Sequence, residues 1–137
     1  MKTSILGLGI ALIVAFVLNL IFSQFDLSIY GIVIEEIMVS QNNDIGLLGS
    51  TTFIAYSTIR SLFVFGVPGF LLPIITKKPS FLHAAILVLV FILIQSLPLL
   101  MGDSHRDIDV FILNSLLILV FTSLGVVIGN KWGQEKV

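Results

Sequence analysis

Cysteine and charge are what this sequence has least of. None of the 137 residues is cysteine, which excludes disulfides, thiolate metal sites and cysteine nucleophiles. Charged residues make up 11% of the chain and hydrophobic residues 57%, whereas soluble domains carry about 25% charged residues. Because the apolar residues form long runs that a water-facing fold could not hide, the composition predicts one integral membrane domain over residues 1–137.

Signatures of chemistry are also missing. No nucleophile–base pair, phosphate-binding loop or redox motif occurs, and the net charge of −1 gives no reason to expect nucleic-acid binding. The two histidines, His83 and His105, are predicted to lie on opposite sides of the membrane and so cannot share a metal. We therefore expect no enzyme activity, no metal and no cofactor. Apart from Asp109 at the outer end of the last predicted span, the predicted spans contain no acidic residue, which argues against a simple proton-coupled carrier.

Four hydrophobic runs reach the roughly 20 residues that a membrane-spanning helix needs. They cover about residues 4–23, 52–76, 81–101 and 108–130. This pattern predicts an all-α fold, a four-transmembrane-helix bundle. The first run is longer than the apolar part of a secretory signal and has no cleavage site after it, so we interpret it as a retained span.

The connection over residues 24–51 is predicted to form an outer loop. It contains the stretch LSIYGIVIEEIMVS, which is too short and too acidic to span a bilayer. A short interfacial helix in this first outer loop fits the pattern, and an ordinary loop helix that caps the bundle is the alternative. Ser50 or Thr51 is placed to cap the start of the second span.

Charges between the spans are sorted by sign. The basic ends carry Lys2, Lys77, Lys78, Lys131 and Lys136, with Glu135 as the one acid among them. The opposite ends carry Asp26, Glu35, Glu36, Asp44, Asp103, Asp107 and Asp109, with Arg106 as the one clear cation. The positive-inside rule then predicts both termini in the cytoplasm, and we expect a bacterial inner (plasma) membrane.

Four polar residues are predicted to share one depth in the membrane. Asn19, Arg60, Gln95 and Asn114 each lie within roughly 8–12 Å of the outer surface, at ~1.5 Å per residue. The amides could simply join helices by hydrogen bonds. Arg60 could extend towards the outer headgroups, form an ion pair with Glu35 or Glu36, or bind an anionic ligand.

Two further patterns concern helix packing. The stretch FGVPGFLLP puts Gly66, Pro68, Gly69 and Pro73 inside the second span, which predicts either a kinked helix or a discontinuous one. Small residues recur at every fourth position in span one (Gly7, Ala11, Ala15) and span four (Gly125, Gly129). Such stripes allow close helix contact, and they share a face with Asn19 and Asn114, which should therefore point inwards.

These features favour a non-enzymatic interaction protein. It would be an accessory, assembly or inhibitory (immunity-type) subunit of a membrane complex, because the chain is small and its small-residue stripes could receive a partner. The alternative is a homo-oligomeric channel or transporter for a small anionic solute, with its outer polar site around Arg60. The expected partners are the lipid bilayer and either another membrane protein or further copies of this chain.

Overall fold

The computed structural model describes residues 2–39, 49–77, 81–101 and 108–135, and within these ranges every regular element is helical. The helices are α1 (Lys2–Val39), α2 (Thr51–Ser61), a π-helical segment (Leu62–Gly66), α3 (Val67–Thr76), α4 (Phe81–Leu100) and α5 (Ile108–Glu135).

Among the described residues, three helices are long and apolar enough to cross a membrane: Lys2–Val39, Thr51–Thr76 and Val110–Gly133. The fourth apolar helix, α4, is shorter and packs mainly against α5. This arrangement confirms the all-helical prediction and is compatible with a four-helix bundle of the integral membrane type. One core joins α1, α3, α4 and α5, and its buried side chains are those of Ala11, Ala15, Leu72, Ala84, Leu87, Val88, Phe91, Ile118 and Val126.

Helix α1 corrects the prediction for the first outer loop. It is one helix of 38 residues, about 57 Å long at ~1.5 Å per residue, and it includes both the predicted span and residues 24–39. The separate interfacial helix is therefore wrong for these residues. No proline interrupts α1, and a glycine inside a helix costs only about 1 kcal/mol, so the helix continues through Gly31. Residues 40–48 of the predicted loop lie outside the described ranges.

The second span is a continuous helix with a π-helical segment in its middle. Backbone dihedrals stay right-handed helical at Ser61 (φ −65), Gly66 (φ −69) and Val67 (φ −63), so no unwound stretch separates α2 from α3. Of the two alternatives predicted for this span, the discontinuous helix is therefore wrong. Pro68 is the second residue after the π-helical segment, and the carbonyl four residues before it is that of Val64, inside the segment, where the wider turn relieves the clash with the proline ring.

Helices α3 and α5 touch through their backbones. A Cβ atom added to Gly69 would lie 2.6 Å from the carbonyl oxygen of Thr122. Cβ atoms added to Gly125 and Gly129 would collide with carbonyl oxygens of the second span, the first of them that of Gly66. Glycine is thus the only residue type that permits this helix distance.

Helix α1 joins the same packed region by its small-residue stripe. Gly7, Ala11 and Ala15 are all buried, and a Cβ atom on Gly7 would lie 2.7 Å from Cγ2 of Thr76. The stripes on the first and last spans are therefore occupied within the chain itself. Neither one remains as a free surface for another protein.

We predict that Gly125→Ala lowers the free energy of unfolding by about 1–3 kcal/mol, because its methyl group must push two backbones apart. Gly9→Ala is the matched control, since nothing lies within 4 Å of a Cβ atom there and alanine favours the helix. Unfolding in mixed detergent micelles, followed by circular dichroism, measures both variants. Equal stability of the two variants would contradict the backbone contact.

Candidate functional site

Arg60 lies on α2 and is paired with α1. Its Nη2 donates a 2.7 Å hydrogen bond to Oδ1 of Asn19 and lies 3.3 Å from Oδ2 of Asp26. The prediction that Glu35 or Glu36 pairs with Arg60 is therefore wrong. Asp26 follows Asn19 by two helical turns and shares its face, whereas Glu36 lies about 15 Å further along the continuous α1.

Tyr56 completes this cluster from the preceding turn of α2. Its hydroxyl donates to the Oδ1 atom of Asp26 and also lies 3.1 Å from the carbonyl oxygen of Phe22. The Asp26 carboxylate is thus held between a phenol and a guanidinium. Neither Tyr56 nor Asp26 is among the site residues predicted from the sequence, although the spacing of four residues puts Tyr56 and Arg60 on one face of α2.

Glu36 has a different role, at the start of α2. Its carboxylate accepts hydrogen bonds from the Ser50 hydroxyl (2.9 Å) and from the backbone N–H groups of Thr51 (3.2 Å) and Thr52 (3.4 Å). Ser50 Oγ in turn accepts from the N–H of Phe53, which confirms Ser50 as a cap. A carboxylate here satisfies unpaired N–H groups and complements the helix dipole.

We predict that Glu36→Gln speeds hydrogen–deuterium exchange of the amides at residues 51–53, because the helix start loses its anionic acceptor. Glu35→Gln is the control, since Glu35 is exposed and adjacent in sequence. Similar exchange in both variants would show that the carboxylate does not hold α2.

The four residues of the predicted polar layer line one cavity. A cavity of about 750 Å³ lies between α1, α2, α4 and α5. Its polar lining residues are Asn19, Asp26, Tyr30, Arg60, Gln95 and Asn114, so all four residues of the predicted layer are included. Its apolar lining includes Leu12, Phe16, Val64, Phe65, Phe91 and Ile94. The volume lies within the range of roughly 300–1,000 Å³ that is common for small-molecule sites.

Two polar atoms at this cavity are buried without a hydrogen-bond partner among the described residues. They are Nε of Arg60, a donor, and Oε1 of Gln95, an acceptor. A buried polar group that lacks a partner costs about 1–3 kcal/mol, so native proteins normally supply one. A bound molecule or water in the cavity would supply both partners.

The π-helical segment shapes one wall of the cavity. Val64 and Phe65 belong to this segment and line the cavity. The ring of Phe65 packs against that of Phe91 on α4, with centroids 5.0 Å apart. Single-turn π-helical segments are frequent at functional sites, where they change the direction in which side chains point. Here the segment lies between the Arg60 cluster and the glycine contacts of α3.

Comparison with known protein families, curated proteins and solved structures found no match. The class of the protein therefore follows from its own helices. It is an all-helical protein of the integral membrane type, with helices of spanning length around a partly polar cavity.

We predict that Arg60→Ala and Asp26→Ala each lower the free energy of unfolding by on the order of 1 kcal/mol, since each leaves a charge unpaired in a partly shielded site. The double variant should lose less than the sum of the two losses. Lys131→Ala, at an exposed position on α5, should change stability by less than about 0.5 kcal/mol. Strictly additive losses in the double-mutant cycle would contradict the ion pair.

Proposed function

We propose that this protein binds a small molecule within the membrane and serves as a channel or transporter for it. The observation that carries this proposal is the cavity, to which α1, α2, α4 and α5 each contribute at least one polar side chain. The partnerless Nε of Arg60 and Oε1 of Gln95 support a ligand there. Amides that served only to join helices would not need to line one common cavity.

The charge of the cavity favours an uncharged solute over an anion. Arg60 and Asp26 are the only charged residues in its described lining, and they lie 3.3 Å apart. Their charges cancel at any distance much larger than this separation. The paired Arg60 therefore gives no physical reason for the cavity to select an anion.

We further propose that both termini are cytoplasmic and that the cavity lies in the outer half of a bacterial inner membrane. This placement rests on the sorted charges of the sequence and the positive-inside rule. The part of α1 beyond residue 23 would then project from the outer surface. Several copies of the chain could assemble around a common path, as the homo-oligomer hypothesis requires.

An interaction subunit is the second candidate, and one observation favours it. The distal part of α1 carries large exposed apolar side chains, among them Leu27, Met38 and Val39, with 77–85% of their surface accessible. Exposed apolar groups beyond the hydrocarbon layer are typical of a contact with another protein. The small-residue stripes give this candidate no support, because they pack inside the chain.

Native mass spectrometry after mild-detergent extraction tests both candidates. A small-molecule site predicts a non-covalent adduct of defined mass on the wild type and on Gln24→Leu, where an exposed glutamine is replaced. The adduct should be lost or reduced in Gln95→Leu. An unliganded chain bound to an unrelated subunit in fixed stoichiometry would instead support the interaction candidate and contradict the ligand site.

A further inference from the structure

We propose that the ligand is an uncharged amphiphile with a hydroxyl-bearing head group, which enters the cavity sideways from the bilayer between α1 and α4. This inference rests on the proposed function and specifies the ligand class of the same site. Three properties of the cavity support it: the kind of free hydrogen-bonding atoms, the apolar lining and the position of the opening.

The two polar atoms that lack a hydrogen-bond partner indicate which kind of head group fits. Nε of Arg60 needs an acceptor and Oε1 of Gln95 needs a donor. A hydroxyl group offers one donor and two acceptor lone pairs, so a head group with hydroxyls can satisfy both atoms. An ionised carboxylate, sulfate or phosphate diester has acceptors only and would leave Gln95 unsatisfied. A quaternary ammonium group has neither a donor nor an acceptor.

The charges near these atoms point to the same class. Asp26 already occupies one side of the Arg60 guanidinium, with Oδ2 3.3 Å from Nη2. An anionic head group that reached Nε would lie close to this carboxylate and be repelled by it. A neutral hydroxyl avoids that repulsion and still accepts from the guanidinium.

The remaining lining suits a hydrocarbon chain. Leu12 and Phe16 of α1 face the cavity together with Phe91 and Ile94 of α4. These side chains can surround an alkyl chain and replace the van der Waals contacts that it made with lipid. A wholly water-soluble solute would leave this apolar surface uncovered.

The exposure of two lining residues locates the opening. Phe16 is 63% exposed and Ile94 is 57% exposed, although both line the cavity. They lie on α1 and α4, which make few contacts with each other. The cavity therefore opens on the side of the bundle, at a depth where the helices are apolar and lipid chains would surround them.

Oleyl alcohol and oleyl sulfate test the head-group class, because they share one chain and differ only in the head. The full-length protein is delipidated in detergent, incubated with each probe, and the bound fraction is titrated by native mass spectrometry. We expect oleyl alcohol to bind at least about tenfold more tightly than oleyl sulfate. Gln95→Leu should weaken oleyl alcohol binding about tenfold, whereas the control Gln24→Leu should not change it.

Equal binding of the two probes by the wild type would overturn the inference, and this comparison needs no variant to fold. Equal affinities of Gln95→Leu and Gln24→Leu for oleyl alcohol would also contradict it. If glycerol binds with a dependence on Gln95 while oleyl alcohol does not, the amphiphile is wrong but the small-molecule site stands. If neither oleyl alcohol nor glycerol binds, both the amphiphile and the small-molecule site are wrong.

Discussion

The ion pair between Arg60 and Asp26 is the interaction on which the polar end of this protein depends. An arginine well inside a predicted span needs an opposite charge, since an unpaired one costs at least ~2.5 kcal/mol on insertion scales. Asp26 supplies that charge only because α1 continues as a helix past its predicted end. The same pair joins α1 to α2 and leaves the cavity lining without net charge, and its Asp26 carboxylate also accepts a hydrogen bond from the Tyr56 hydroxyl.

The two ends of the bundle differ in how closely their helices pack. At one end, glycines on α3 and α5 bring backbones into contact, and Gly7 extends this packing to α1. At the other end, α1, α2, α4 and α5 surround a cavity of about 750 Å³. The π-helical segment lies between the two ends. The structure thus combines a closed half, which fixes the helices, with an open half that has room for a ligand.

Much of this could be predicted from the sequence, because hydrophobic run length and residue depth depend on simple geometry. Run length predicts the apolar helices. Residue depth predicts that four polar side chains meet at one cavity, namely those of Asn19, Arg60, Gln95 and Asn114. The continuation of α1 could not, because Gly31 and two glutamates suggest a break, whereas the contacts of α1 with α2 join residues that lie far apart in the sequence. Asp26 was missed for the same reason, and no sequence signal distinguishes a π-helical segment from an ordinary proline kink.

Cysteine accessibility in membrane vesicles tests most directly that the polar end holds an open cavity, and the natural chain has no cysteine to interfere. Asn114 lines the cavity, whereas Ile118, one turn further along α5, is fully buried. A cavity predicts that a small thiol reagent modifies Asn114→Cys quickly and Ile118→Cys slowly, and that a bound ligand protects the first. Equal, slow reaction at both positions would show that the helices close over the polar layer and that the cavity does not exist in the membrane.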